Sequence, residues 1–408
     1  MKRWLSLVAG LSFMALAACS SRSSTAPAAG SGSVASVSPP HDAVALAPSY
    51  YRVEASIDDH IVPFIIGIAP EKPEGWLWSP DEQLPLVVES RAPLVLRIPV
   101  RGIELRFDSS LHGQWKAAYY FKRDFPLTAT KIASPSVAAL FPGTDAPAVD
   151  ISGSWRFDIK EFGVGRGTFR QSPQGDIAGT IIPPEVGDLR HLTGRVTGTR
   201  LRASAFDGIH GFLVESAVDR DKLAGEWSIA GIGTFPFTAT RDAAPPTHLE
   251  MKARMRPGKT RLDIPALDKP PFAGNPVIVD YFGSWCPVCM DLTPELVRLH
   301  REHAADGLQI LSISLEPEGD ETETTKRLDE FRAAFGVTWP FTIKYGDDFA
   351  AGLPPELVDA NGFPVTIFLR RDHTVAAVHT GFVSTASPAE HADVVTLFDR
   401  LSDEISKR

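Results

Sequence analysis

Cysteine is scarce in this chain, which has three in 408 residues: Cys19, Cys286 and Cys289. Cys286 and Cys289 are separated by two residues and can close a small disulfide ring. Cys19 follows an apolar N-terminal stretch and needs a separate explanation, because an odd cysteine in a secreted chain points to a use of its own. If Cys19 is used elsewhere, Cys286 and Cys289 are the two thiols available to react with each other and with an external partner.

Other features are missing as well. The net charge is −9 and there is no basic cluster of the kind that follows a phosphate backbone, so nucleic acid is not an expected partner. After residue 18, no apolar stretch is long enough to span a bilayer. His191, Asp207 and His210 lie near one another, but their spacing does not match a metal site. We therefore expect no metal and interpret these three as solvated loop residues.

The N-terminus has the pattern of a secretion signal. Residues 1–3 include two basic side chains, and residues 4–18 form an apolar stretch too short for a stable membrane span, so we predict a signal peptide over 1–18. The sequence Leu-Ala-Ala-Cys that ends at Cys19 resembles a bacterial lipobox, which implies that Cys19 is acylated. The alternative is an ordinary signal peptide with an incidental cysteine. Ser20 replaces the aspartate that resembles an inner-membrane retention signal. In a Gram-negative cell we therefore expect an outer-membrane lipid anchor and a body that faces the periplasm.

Composition divides the rest of the chain. Residues 19–44 are rich in Ser, Ala, Gly and Pro and are expected to form a flexible tether. The part that follows is too long for one hydrophobic core. We predict a β-rich unit over 45–145, a second β-rich unit over 146–245, and a linker with an α/β domain over 246–408.

A repeat relates the two β-rich units. The segment Leu-His-Gly-Gln-Trp at 111–115, followed by Phe-Pro-Leu-Thr-Ala-Thr-Lys at 125–131, matches segments at 223–227 and 235–241, about 110 residues later. We predict tandem meander or barrel-like units, each ending in a paired hairpin. The second unit resembles a streptavidin-like or lipocalin-like meander in rhythm only. We interpret its aromatic residues and glycines as core and corner positions rather than a ligand site.

Strands and helices alternate from about residue 256 onward. The predicted strands are 277–282, 308–315, 341–344, 365–369 and 375–379, and the predicted helices are 289–303, 321–335 and 388–405. The pattern predicts a mixed sheet with helices on both faces. Cys286 and Cys289 lie where the first strand gives way to the first helix. There the amides and dipole of a helix N-terminus stabilise a thiolate, the form of cysteine that attacks disulfides.

Residues 256–408 resemble the thioredoxin superfamily, and within it the TlpA/ResA-type disulfide oxidoreductases that face the periplasm or the cell exterior. The matching features are Trp285 before the cysteine pair, Asp280 six residues before Cys286, Pro294 five residues after Cys289, the loop 361–366 around Pro364, and the extra strand–helix stretch over 308–345. The implied fold class is a multidomain chain in which all-β units precede an α/β thioredoxin fold.

The resemblance implies roles for these residues. Cys286 is expected to be an exposed nucleophile that forms a mixed disulfide, and Cys289 then releases the reduced substrate. Asp280, buried under the pair with a raised pKa, is the expected base for Cys289; a solvated strand aspartate is the alternative. Pro364 is expected to follow a cis peptide bond. The expected substrate-docking surface consists of Trp285, Pro287, Phe363 and Pro364, with packing as the alternative role of Trp285.

One position departs from the family pattern. Many TlpA/ResA reductases carry a glutamate three residues after the second cysteine, where this chain has Leu292, so a haem-maturation role is not carried over. We expect no cofactor besides the redox disulfide Cys286–Cys289. The expected partners are protein disulfide substrates, a membrane thiol electron donor, and the membrane itself through the lipid anchor. Reduction or isomerisation is favoured over oxidation.

Three alternatives remain open. A peroxiredoxin-like peroxidase shares the fold, but that chemistry normally uses a lone peroxidatic cysteine rather than a Cys-Pro-Val-Cys pair. A copper chaperone would use both thiols together with His379 or His300. In the third alternative, the chain is a non-enzymatic lipoprotein that binds a ligand or partner through its β region, and the cysteine pair is incidental.

Overall fold

Two closed eight-stranded β-barrels come first in the described part of the chain. The structure is a computed structural model that describes residues 47–116, 123–184, 187–244, 247–249, 251–346, 348, 350–360 and 362–407. The predicted signal peptide and the whole of the predicted tether, including Cys19, lie outside these residues. In both barrels each strand pairs antiparallel with the next, and the first strand closes against the last. The two β-rich units therefore form two barrels rather than one.

The first barrel consists of β1 (Ser49–Ile57), β2 (His60–Ile68), β3 (Glu74–Trp78), β4 (Gln83–Arg91), β5 (Leu94–Ile98), β6 (Ile103–Phe107), β7 (His112–Lys116) and β8 (Asp124–Ile132). A short helix, α1 (Val137–Leu140), follows. The second barrel consists of β9 (Gly153–Ile159), β10 (Gly163–Gln171), β11 (Asp176–Ile182), β12 (Leu192–Thr197), β13 (Arg200–Phe206), β14 (Gly211–Asp219), β15 (Lys222–Ile229) and β16 (Gly233–Arg241).

Alternation of apolar and polar side chains explains why these segments form barrel strands. In β6, Ile103, Leu105 and Phe107 are buried, whereas Glu104 and Arg106 point outward and form an ion pair with each other. Successive side chains of a strand point to opposite faces, so one face of each strand fills the barrel interior. The interior of the second barrel is a continuous apolar cluster that includes several aromatic side chains.

The repeated sequence segments form equivalent hairpins. In the first barrel, Trp115 of β7 pairs with Phe125 of β8. In the second, Trp227 of β15 pairs with Phe235 of β16 in the same register. Both tryptophans are buried. The predicted hairpins and the core role of these aromatic residues are thus confirmed.

The barrels contact each other through residues that the sequence analysis placed in solvated loops, and this interpretation was wrong. Asp207 is buried, and its carboxylate accepts hydrogen bonds from the backbone N–H groups of Ile209 and His210. The His210 ring also contacts Asp207. Arg101 of the first barrel donates to the Asp207 carbonyl at 2.8 Å. His191 is half-buried and lines a cavity between the barrels.

A five-stranded mixed sheet follows the barrels. The remaining elements are β17 (Arg254–Met255), β18 (Val277–Phe282), α2 (Pro287–Glu302), β19 (Gln309–Glu316), α3 (Glu321–Phe335), β20 (Phe341–Tyr345), β21 (Leu357–Val358), β22 (Val365–Leu369), β23 (Val375–Thr380) and α4 (Pro388–Ser406). The strand order in the sheet is β20–β19–β18–β22–β23. Strands β18, β19 and β20 are parallel, and β22 and β23 run antiparallel to their neighbours. The short pair β17–β21 lies outside this sheet and was not predicted.

The three longer α-helices pack on one face of the sheet, so the prediction of helices on both faces was wrong. Leu296 of α2 and Phe398 of α4 share a cluster with Ile278, and Phe331 of α3 contacts Phe282 on the same face of β18. The opposite face, which includes Val279, is covered by the non-helical segments around 262–272 and 353–360. Pro265, Pro270 and Pro271 account for the first of these segments, since proline lacks the N–H group that continues a helix and clashes with the preceding turn.

All of these elements belong to one compact unit, Leu46–Arg408. Ion pairs link the second barrel to the sheet region, for example Arg166 with Glu390 at 2.5 Å. Among the described residues, no helix has the length and apolar character needed to cross a bilayer.

Candidate redox site

Cys286 and Cys289 form a disulfide at the start of α2, with their Cα atoms 5.2 Å apart. Strand β18 ends at Phe282, and Cys286 is the N-cap of the helix: its Sγ accepts a hydrogen bond from the Cys289 N–H at 3.2 Å. Pro287 occupies the first helical position, where its missing N–H costs no hydrogen bond. The Cys286 sulfur therefore lies at the positive end of the helix dipole, which favours a thiolate when the disulfide is reduced.

A buried polar network holds the loop between β18 and Cys286. Glu316, at the end of β19, accepts hydrogen bonds from both the backbone N–H and the hydroxyl of Ser284, each at 2.9 Å. Arg327 of α3 donates to the Ser284 hydroxyl at 2.8 Å and lies 3.6 Å from the Glu316 carboxylate. The sequence analysis did not identify Glu316 or Arg327. No local motif marks them, because they meet Ser284 only through the pairing of β19 with β18 and the packing of α3.

Trp285 is buried against the same loop. Its Nε1–H donates to the Leu315 carbonyl at 2.8 Å, and its ring meets the ring of Phe363 edge-on, with centroids 5.9 Å apart. Gly283 must remain small, because a Cβ atom there would lie 2.3 Å from the Trp285 ring. The Phe363–Pro364 peptide bond is cis, which is the geometry that the resemblance predicts. The structure thus brings Trp285 and Phe363 together beside the disulfide.

Asp280 is buried in β18 and lies on the same strand face as Ile278 and Phe282, the face on which α2 packs. Its Oδ2 accepts a long hydrogen bond of 3.4 Å from Ser312, and its Oδ1 has no partner among the described residues. Burial raises the pKa of Asp280 to about 7, and the bond from Ser312 opposes this only in part. Asp280 is therefore a buried carboxylate, and the alternative of a solvated one is wrong.

The disulfide itself is more buried than the sequence analysis predicts. Cys286 was expected to be exposed, yet it is only 5% exposed, and Cys289 is 1% exposed. Both belong to an apolar cluster that continues into the barrels and includes Val100 of the first. Gly187, in the loop between β11 and β12 of the second barrel, packs against Val288, the residue directly before Cys289. The expectation of an exposed nucleophile was thus wrong, because both cysteines are buried in this cluster and the barrels pack against the motif at Val288.

The histidines considered as copper ligands lie in apolar surroundings. His379 is buried in β23 with its ring against Phe398, and burial lowers its pKa to about 4. His300 of α2 packs edge-on against Trp339, and burial lowers its pKa as well. Leu292, at the position of the family glutamate, is a buried residue of the α2 core face.

Comparisons with known proteins find similarity over part of the chain. No protein-family model matches the chain. A thiol-disulfide oxidoreductase ResA from Halalkalibacterium halodurans is 24% identical over 125 residues, which is 30% of this chain and 63% of that protein. A ResA from Geobacillus thermodenitrificans is 22% identical over 126 residues, 30% of this chain and 65% of that protein. The chain thus spans somewhat less than two thirds of the length of these relatives.

One solved structure, a thiol:disulfide interchange protein of the thioredoxin family from Chlorobium tepidum, is 20% identical. The match covers 40% of this chain and 99% of that one, with a TM-score of 0.26. Over 30% of its length, the chain is thus similar to two proteins that are named thiol-disulfide oxidoreductase ResA.

Proposed function

We propose that the chain is a thiol–disulfide oxidoreductase that reduces or isomerises protein disulfides through Cys286 and Cys289, and that residues 256–408 form its thioredoxin fold. The observation that carries the proposal is the Cys286–Cys289 disulfide at the N-terminus of α2, with the Cys286 sulfur as the helix cap. The N–H groups and the dipole of a helix N-terminus stabilise the thiolate form of a capping sulfur. This makes the sulfur a better nucleophile and a better leaving group.

The proposed reaction begins from the reduced pair. The Cys286 thiolate attacks one sulfur of a substrate disulfide, and the other substrate sulfur leaves as a thiolate that takes up a proton. Cys289 then loses its proton and attacks the Cys286 sulfur of the mixed disulfide. The second substrate thiol departs, and Cys286 and Cys289 are left as the disulfide seen in the structure. Two electrons pass to the substrate, and an external thiol donor must return them. The pair is the only redox group that this sequence of steps requires.

Asp280 is the proposed base for the Cys289 proton. It lies on the strand face toward α2, and a carboxylate whose pKa is about 7 can both take up and release a proton near neutral pH. The release of mixed disulfides should therefore accelerate as the pH rises through about 7, where Asp280 loses its proton. Asp280→Asn should remove this acceleration, which stopped-flow measurements of release between pH 5 and 9 would reveal.

The setting of the reaction is part of the proposal. The predicted lipobox at Cys19 would anchor the chain to a bacterial envelope membrane, with the catalytic region on the periplasmic side. There, protein disulfides would be the substrates and a membrane thiol protein the electron donor. Incorporation of labelled palmitate into the wild-type chain but not into Cys19→Ala would support the anchor, and equal labelling of both would refute it.

Trapping tests the proposed chemistry directly. In Cys289→Ala, the second step cannot occur, so mixed disulfides through Cys286 should accumulate in cells and be identifiable by mass spectrometry. Cys286→Ala is the matched control, because it keeps one thiol of the pair but removes the attacking one. Equal trapping by both variants would contradict the assigned order of attack. Full insulin-reduction activity in Cys286→Ala would contradict the proposed function as a whole.

A further inference from the structure

A segment of the second barrel packs against the residue that precedes Cys289. Residues 187–190, after β11 and before β12, are here called the cap. The Gly187 backbone lies so close to the sheet region that an added Cβ atom would be 2.7 Å from Cγ1 of Val288 and 2.7 Å from the Phe382 carbonyl oxygen. Val288 lies between the two cysteines in sequence. The cap therefore touches the redox motif itself.

Two residues that follow Gly187 also hold the cap in place. Both carboxylate oxygens of Asp188 accept hydrogen bonds from Ser384, one from its backbone N–H at 3.1 Å and one from its hydroxyl at 2.7 Å. Asp188 and Ser384 are both buried, so these bonds are shielded from water. The guanidinium of Arg190 forms ion pairs with Asp291 of α2 and with Glu82 of the first barrel.

The surface that the cap contacts is the one that surrounds the disulfide. Val288 and Asp291 belong to the first two turns of α2. Phe382 and Ser384 follow β23, where the Gly381 N–H donates to the carbonyl of Pro364 at 2.8 Å. The cap thus bridges the cysteine motif and the segment beside the cis-proline loop. It therefore occupies part of the surface next to the cysteine motif.

We propose that the cap is an intramolecular inhibitor of the redox site, docked where a protein substrate must bind, and that substrates reach Cys286 only when the cap is displaced. This inference rests on the proposed redox role of the pair and adds its regulation. The occupied surface consists of backbone, one apolar side chain and two polar anchors. It therefore suits an extended protein segment, which can replace the cap contact for contact.

Gly187→Ala is the sharpest test. At Gly187 the backbone φ is +108°, and an added methyl group has no room against Val288 and Phe382. The matched control is Gly153→Ala, because Gly153 has the same φ of +108° and belongs to the same barrel. Among the described residues, an added Cβ atom there would meet the flexible end of Arg241 at 3.3 Å. Both changes place a Cβ atom at the same positive φ, but we expect only Gly187→Ala to push the cap off the sheet region.

The readout is the rate at which dithiothreitol reduces the Cys286–Cys289 disulfide in the full chain. One dithiothreitol thiolate attacks the disulfide, and the second closes the oxidised ring and leaves both cysteines as thiols. These are trapped with a maleimide and counted by mass spectrometry of the peptide. We expect Gly187→Ala to be reduced about tenfold faster than the wild type, the factor that corresponds to a weakening of docking by about 1.4 kcal/mol. Gly153→Ala should match the wild type.

A second pair of variants guards against misfolding of Gly187→Ala. Arg190→Gln removes the ion pairs that anchor the cap. Arg202→Gln removes an exposed ion pair with Glu215 within the same barrel. Faster reduction in Arg190→Gln but not in Arg202→Gln would support inhibition by the cap. Wild-type rates in both folded Gly187→Ala and Arg190→Gln would overturn it. Insulin reduction is measured separately. If the variants react faster with dithiothreitol but neither they nor the wild type reduce insulin, the result supports inhibition by the cap and contradicts the proposed function.

Discussion

Asp280 illustrates how one buried side chain ties stability to pH. It is 4% exposed, its Oδ1 has no hydrogen-bond partner in the described part of the chain, and burial raises its pKa to about 7. An acid with a raised pKa binds its proton more tightly in the folded than in the unfolded chain. Its burial therefore costs little below about pH 4, and the cost grows as the pH rises from about 4 to about 7.

Asp280→Asn should therefore stabilise the oxidised protein at pH 8 and leave its stability at pH 4 nearly unchanged. A pKa of about 7 instead of the ordinary value corresponds to at most about 4 kcal/mol, and we expect a gain of about 1–3 kcal/mol after relaxation of the site. Urea titrations at both pH values measure the difference. Asp372→Asn is the control, since Asp372 is exposed and its pKa is lowered by Thr374. An equal gain at both pH values would contradict the account.

Glu316 should contribute strongly to the free energy of unfolding, although no local sequence motif identifies it. It is fully buried, and Glu316→Ala would remove its contact with the Arg327 guanidinium, which is itself 8% exposed. Breaking a buried pair in this way costs about 3–5 kcal/mol. Glu316→Ala should lower the free energy of unfolding by that amount. Glu302→Ala, which removes an exposed carboxylate from Arg298, should change it by less than about 1 kcal/mol. Similar effects of the two changes would refute a structural role for the Glu316 network.

The residues of the site differ in whether the local sequence is enough to identify them. Cys286, Cys289, Trp285, Asp280 and Pro364 could be identified because each has a fixed place in a local motif. Glu316 and the cap could not, because their importance depends on contacts between distant segments. A Gly-Asp pair such as that at Gly187 indicates a turn, but a turn signal does not say which surface the turn packs against.

At the scale of elements, the repeated hairpins explain why a glycine lies two residues before Trp115 and also two residues before Trp227. A Cβ atom at Gly113 of β7 would lie 2.0 Å from the Arg106 carbonyl oxygen, and one at Gly225 of β15 would lie 2.0 Å from the Glu215 carbonyl oxygen. In both barrels the neighbouring strand backbone occupies the space of a side chain. Glycine in a strand often marks this kind of close backbone approach.

Gly225→Ala should consequently destabilise the second barrel. The clash is with backbone and cannot be relieved by a side-chain rotation, so we expect a loss of about 2 kcal/mol or more, toward the upper part of the range for overpacked sites. Gly346→Ala is the control, because an added Cβ atom there would lie more than 4 Å from every atom of the described residues other than its chain neighbours. Thermal unfolding monitored by circular dichroism compares them. A midpoint in Gly225→Ala equal to that of Gly346→Ala would contradict the predicted clash.

The secondary structure of the C-terminal region followed closely from its apolar periodicity. The predicted strand 277–282 and helix 321–335 coincide with β18 and α3. The side of the sheet on which each helix packs did not follow, because periodicity shows that a helix has an apolar face but not which layer it meets. The segment that covers the other face is interrupted by proline and has no periodic signal.

At the scale of the whole molecule, the burial of the disulfide sets how it can react. With Cys286 5% exposed, a reductant must wait for an opening motion or react through a narrow approach. An opening that separates the cap from α2 exposes new surface, and denaturants favour such openings in proportion to the surface exposed.

Low concentrations of urea, well below the unfolding transition, should therefore speed the reduction of the disulfide by dithiothreitol. The logarithm of the rate should rise linearly with urea in the wild type, and the slope should be smaller in Gly187→Ala, where the cap is already displaced. The exchange is followed by the same maleimide labelling. A wild-type rate that does not respond to urea would show that the disulfide reacts without opening.

The contact between Gly187 and Val288 has a thermodynamic consequence for any molecule that binds the barrels. If the cap holds the oxidised pair and the reduced pair with different free energies, reduction shifts the docking equilibrium, and docking shifts the reduction potential by the same free energy. For a two-electron couple, about 1.4 kcal/mol of such a difference moves the potential by about 30 mV. A partner that binds only the barrels would in this way adjust the reducing power of a disulfide that it never touches.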